Sequence, residues 1–71
     1  ADFKSRLYEE AHKRKVELRF NTSPKTTDSG DKYFVSVVVF NDKNTGKGNG
    51  SSKKRAEQSA AEAALENLNV K

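Results

Sequence analysis

Apolar residues recur at every fourth position near both ends of this chain and at every second position between them. That change of period limits the fold more than any other feature. From Asp2 to about Arg14, Phe3, Leu7 and Ala11 line one side of a helix and leave Ser5, Glu9 and His12 on the opposite side. From Ser51 to Leu68 the chain is dense in Ala, Leu, Glu and Lys, and Ala56, Ala60, Ala61, Ala64, Leu65 and Leu68 share one broad helical face. Side chains this small let a helix lie close across a sheet.

Between the helices, Val16, Leu18 and Phe20 alternate with Glu17, Arg19 and Asn21, which predicts a strand with one buried face. The run from Lys32 to Asn41 concentrates β-branched and aromatic residues and reads as the central strand. Ser36, its polar break, predicts that Tyr33, Val35, Val37 and Val39 point inward. Asn41 to Asn44 is turn-like, and Thr45 to Gly50 is a short glycine-rich third strand. Between Thr22 and Asp31, Ser, Thr, Pro, Asp and Gly predict a mobile loop. The expectation is an α+β fold of order α-β-β-β-α, with two helices packed on one face of a three-stranded antiparallel sheet. Residues 1–71 are expected to form one domain.

Composition removes several function classes. Cys 0 excludes disulfides and thiolate metal sites, and a single His cannot by itself assemble a zinc centre, so no metal and no cofactor are expected. A reducing, intracellular setting fits, the cytoplasm first and the nucleus in a eukaryote. No apolar run approaches the roughly 20 residues that cross a bilayer, so a soluble chain with no membrane partner is expected. The net charge of +4 admits nucleic acid, an anionic surface or plain solubility.

The sharpest local feature is Gly46, Gly48 and Gly50 leading through Ser51 and Ser52 to Lys53, Lys54 and Arg55 at a helix start. Serine is a good N-cap. Three cations in a first turn oppose the helix dipole at about 0.3–1 kcal/mol each, where stability alone would place acids. A solvated surface turn is one reading. An anion site is the other, with free N–H groups, dipole and cations converging on phosphates while the glycines let the backbone approach them. A nucleotide P-loop does not fit, because its lysine directly follows glycine and precedes Ser or Thr.

The stretch GKGNGSSKKRAEQSAAEAAL is similar to the glycine, basic-pair and alanine signature that closes double-stranded RNA-binding domains. DFKSRLYEEAHKR resembles that family's first helix, and KYFVSVVV and GKGNG follow in the family's order. The opening DFKSRLYE is most similar to the carboxy-terminal domain of ribonuclease III enzymes, Dicer relatives included. The resemblance implies a three-part footprint of about 16 base pairs that reads phosphates and 2′-hydroxyls more than sequence. The first helix would enter one minor groove, through Ser5, Glu9 and His12, with Tyr8 where ribonuclease III domains often carry Gln. The loop between the first two strands would reach the next minor groove. Lys53 and Lys54, with Arg55 beside them and Ser52 leading in, would cross the major groove between.

The chain departs from the family pattern at four places. The loop has Gly30 but lacks the usual Pro and His, which leaves Thr26, Thr27, Ser29 and Lys32 as candidate donors to sugar or phosphate. Glu10 stands where an apolar residue is common, so looser packing of the first helix is expected. Lys15 replaces a common glycine. Glu57 stands where strong binders often place lysine, which predicts weaker phosphate affinity.

Neither a nucleophile nor an acid-base pair is legible, since adjacent Glu9 and Glu10 diverge on a helix. The chain is expected to be a non-catalytic binding domain, and if its parent is a double-strand-specific endoribonuclease the chemistry lies elsewhere in that parent. Double-stranded RNA is the expected partner, with a partner domain or dimerisation supplied by the larger protein. The alternative is a protein-protein interaction or dimerisation module of the same fold, using Phe34, Val38 and Phe40 on the far face of the second strand. A single-strand binder on an aromatic platform ranks below both.

Overall fold

The computed structural model describes residues 2–70. Helix α1 (Phe3–Arg14) is followed by strands β1 (Leu18–Thr26), β2 (Lys32–Phe40) and β3 (Lys43–Gly50) and by helix α2 (Lys53–Asn67). The sheet is antiparallel throughout, in the order β1-β2-β3, with both helices on one face.

Each element boundary has a local cause. Asp2 caps α1 by accepting from the amides of Lys4 (3.1 Å) and Ser5 (3.4 Å). At the far end Lys15 takes a left-handed conformation (φ 57, ψ 45), with Lys15 N–H donating to His12 and Val16 N–H to Ala11. Asn69 (φ 58) closes α2 the same way, and Val70 folds back onto the core. Asn41 and Asp42, both at positive φ, make the two-residue turn that joins β2 to β3.

The phase of β2 is opposite to the one that Ser36 suggests. Ser36 is fully buried, in line with Val38 and Phe40, while Tyr33, Val35 and Val37 lie half-buried on the open face. Val39, 7% exposed, belongs to that open face too, in register between Arg19 and Asn44. A serine marks the outside of a strand only when its hydroxyl has no partner within, and here Ser36 Oγ lies 3.0 Å from Thr22 Oγ1. Val38 and Phe40 are therefore core residues beneath the helices and are closed to the interaction patch expected of them with Phe34, which lies half-buried.

The predicted mobile loop is also shorter. β1 runs on through Pro24, Lys25 and Thr26, paired in register with Phe34, Tyr33 and Lys32. Pro24 is tolerated because β1 is an edge strand. Only Thr27–Asp31 turns the chain, closed by Thr27 N–H to Asp31 (2.8 Å), Gly30 N–H to Thr27 (2.9 Å) and Asp31 N–H to Thr27 Oγ1 (3.0 Å).

Gly46, Gly48 and Gly50 all face α2. A Cβ on Gly46 would come within 2.5 Å of Ala64 N, one on Gly50 within 2.7 Å of Arg55 Cβ, and one on Gly48 would strike Ala60 N. The glycines admit the helix, not a phosphate, which corrects the role inferred from their position before the basic turn. Glycine on the strand meets alanine on the helix, and the two backbones approach as closely as peptide groups allow. Leu7, Ala11 and Leu65 fill the rest of the core, with Phe3, Val16, Leu18 and Phe20 at its margin.

Candidate nucleic-acid interface

Ser5, Tyr8, Glu9 and His12 occupy positions i, i+3, i+4 and i+7 of α1, so they fall on one helical face. With Ala11, Val16 and Leu18 they line a shallow groove of about 650 Å³. Tyr8 is half exposed, and its ring sits 6.0 Å from that of Phe20, tilted by 42°. Ser5 Oγ donates to Asp2 Oδ2 at 2.8 Å, which commits its proton and leaves its lone pairs to accept from a ligand hydroxyl.

The cations of α2 form a second group. Lys53, Lys54 and Arg55 are exposed and no acid occupies the first turn. Ser52 Oγ caps the Arg55 amide at 3.1 Å, so the N–H groups of Lys53 and Lys54, which helix geometry leaves without an intrahelical acceptor, point outward with their ammonium groups. Arg55 bends back, its Nη1 donating to Ser51 Oγ at 3.1 Å. It stands apart from the two lysines.

In the third group, Ser29 and Lys32 are exposed at the hairpin tip. Thr26 is the last β1 residue, paired with Lys32, and Thr27 Oγ1 accepts the Asp31 amide, so Thr27 is first of all a staple of the turn.

Sequence reasoning missed what ties these groups together. Glu57 does not face outward. Its carboxylate is 2.7 Å from Lys4 Nζ and 2.7 Å from Thr22 Oγ1, with its side chain 19% exposed. The single Thr22 proton goes to the carboxylate, so in the 3.0 Å contact with Ser36 the serine is the donor. Burial pushes the Glu57 carboxyl up, but the hydrogen bonds from Lys4 and Thr22 and the charges of Lys4 and Lys53 outweigh it and hold the group below its ordinary value. Lys4 is raised in turn, chiefly by its hydrogen bond to Glu57. The carboxylate expected to weaken phosphate binding is therefore paired within the fold with Lys4 and Thr22, while its charge still acts on Lys53.

The neighbouring Gln58 caps the other helix. Its Oε1 accepts from Phe3 N–H at 2.9 Å and Lys4 N–H at 3.3 Å, and its Nε2 donates to Asp2 Oδ1 at 2.5 Å. The bonds from Gln58 and Ser5 hold the Asp2 carboxyl at about 2. Asp before a helix is legible as a cap, but a cap that reaches across from residue 58 leaves no local pattern. Glu10, expected to loosen α1, pairs instead with Arg14 at 2.7 Å and Lys13 at 3.8 Å, and the Arg14 guanidinium lies 5.7 Å from the Phe40 ring centroid.

Among the described residues no group of three or more His, Cys, Asp or Glu side chains is placed to hold a metal ion, and no helix is long and apolar enough to cross a membrane.

Residues 3–68 match the family of the double-stranded RNA binding motif. The chain is 41% identical over 71 residues to a Ribonuclease 3 of Shouchella clausii, aligning over 99% of its own length and 27% of that protein's. It is 42% identical over 71 residues to a Ribonuclease 3 of Oceanobacillus iheyensis, over 96% and 30% respectively. The chain thus spans under a third of the length of these relatives. With the α-β-β-β-α order and the basic start of α2 beside a match over nearly every residue, the chain belongs to the double-stranded RNA binding motif family.

Proposed function

We propose that this chain binds duplex RNA by its A-form shape, 2′-hydroxyls and phosphates, as the RNA-holding part of a ribonuclease III-type endoribonuclease. The observation that carries the reading is the pairing of a groove-lining α1 face with two outward lysines at an acid-free helix start. Lys53 and Lys54 neutralise phosphates across a major groove. Ser5, Tyr8, Glu9 and His12 enter the adjacent minor groove, where Glu9 accepts from 2′-hydroxyls or a guanine amino group. Ser29 and Lys32 at the hairpin tip, with Thr27 behind them, approach the next minor groove, and Ser52 and Arg55 flank the lysines. Strand cleavage belongs to the part of the parent protein outside this chain, and so does any dimerisation.

A titration of perfect RNA duplex, DNA duplex and single-stranded RNA at two salt concentrations tests the reading. Duplex RNA is expected to bind far tighter than the other two, with a salt slope of roughly 0.7–0.9 log unit per phosphate neutralised. Equal affinity for RNA and DNA duplexes would sink it.

A further inference from the structure

Glu57 lies on α2 four residues beyond Lys53, and every group its carboxylate touches belongs to another element. Lys4 comes from α1, Thr22 from β1, and behind Thr22 stands Ser36 of β2. Each partner is the root of one proposed contact region. Lys4 immediately precedes Ser5. Thr22 and Ser36 are cross-strand partners at the foot of the hairpin that carries Thr27, Ser29 and Lys32. Lys53 and Lys54 lead into Glu57 itself. Lys4 Nζ also lies 5.2 Å from the Phe20 ring centroid, and the same ring packs against Tyr8.

A partly buried ion pair is weak ground for stability, because apolar side chains of like volume do as well. What it supplies is fixed geometry. A-form and B-form duplexes present the same charges at different groove spacings, so a domain that tells them apart by shape must hold its contact regions at set distances. We propose that Glu57 is a positioning residue: through Lys4 and Thr22 it locks the α1 face, the hairpin and the basic start of α2 at one spacing, and so sets the preference for A-form over B-form duplex without touching nucleic acid. This rests on the RNA-binding reading above.

The test compares wild type, Glu57→Ala and Glu57→Gln on RNA and DNA duplexes of equal length at two salt concentrations, with thermal melting as the control for folding. Glu57→Ala is expected to lower RNA affinity about tenfold, within the range by which residues that do not touch a ligand modulate its binding, and to shrink the RNA-to-DNA ratio with it. DNA affinity holds or rises, since a negative charge is gone, and the RNA salt slope stays put because the same phosphates are neutralised. Glu57→Gln keeps an oxygen for Lys4 or Thr22 and recovers most of the ratio. If Glu57→Ala tightens both duplexes by one factor, the carboxylate is a plain repeller and the proposal falls. Unchanged RNA binding in a folded Glu57→Ala also overturns it. If that variant does not fold, Thr22→Val decides, since it keeps the side-chain shape and removes only the hydroxyl that joins β1 to Glu57: a narrowed ratio supports the proposal and an unchanged one overturns it. A wild type that does not prefer RNA removes the RNA-binding reading, and this inference with it.

Discussion

Lys15 holds a backbone conformation that glycine adopts freely and that costs an L-residue roughly 1–2 kcal/mol. Its side chain is exposed, so Lys15→Gly should stabilise the domain by about 1 kcal/mol, after some offset from the freer unfolded chain, and raise the melting temperature by about 4–8 °C in a domain this small. A lower melting temperature would mean that the lysine has a compensating interaction. The exposed lysines of α2 make a different kind of single-residue prediction. Lys53→Ala with Lys54→Ala should weaken every duplex alike and flatten the salt dependence of binding by roughly 0.9 log unit for each phosphate no longer neutralised. Glu9→Ala should lower RNA affinity with hardly any change in that slope, because its proposed partners are not phosphates. Salt titrations of the two variants tell these cases apart.

At the scale of elements, α2 depends on β3 having no side chains on its inner face. Gly48→Ala places a methyl group against the Ala60 amide and the Ser59 side chain, and neither backbone can yield without moving the helix. The expected destabilisation is about 3 kcal/mol or more, a large part of what a domain of this size possesses, and urea unfolding would measure it. The elements themselves are legible from period alone, because helices and strands bury faces at different spacings. Two things are not. The glycines look identical in sequence whether they make room for a phosphate or for a helix, and only the position of α2 decides. Ser36 reads as outward because its partner Thr22 lies on another strand, and that reading puts the valines of β2 on the wrong face. Pro24 hides the length of β1 for a similar reason: its missing N–H breaks a central strand but not an edge.

For the whole molecule, acid and base should act through the bonds that hold α1 to α2. The Asp2 and Glu57 carboxyls are both held below their ordinary values of 3.8 and 4.5. Their contribution to stability is full above those values and disappears as pH falls through the lowered ones, near 2 for Asp2. Lys4 is raised above its ordinary 10.5, so its share is full below that value and disappears as pH climbs past it. Melting temperature should therefore be level across neutral pH and fall at both ends, and Lys4→Met should lessen the alkaline fall. The candidate site is legible only in its outward half. Ser5, Glu9 and His12 are proposed from the face opposite an apolar stripe and Lys53 and Lys54 from a basic helix start, whereas Glu57 and Gln58 act across more than fifty positions, on Lys4 and on Phe3, and no local pattern records a partner that distant.

The two tight connections, Asn41–Asp42 and Ser51–Ser52, bear on the order in which the chain closes. They let β2, β3 and α2 find one another over short loops, so this unit has little loop entropy to overcome and should form early. The contacts of residues 2–4 with residues 57–58, which fasten α1 to α2, need a closure of more than fifty positions, so the docking of α1 should come late. Native-state hydrogen exchange should accordingly show the amides of α1 opening at lower free energy than those of β2. The helix proposed to enter the minor groove would then be the one the domain releases first.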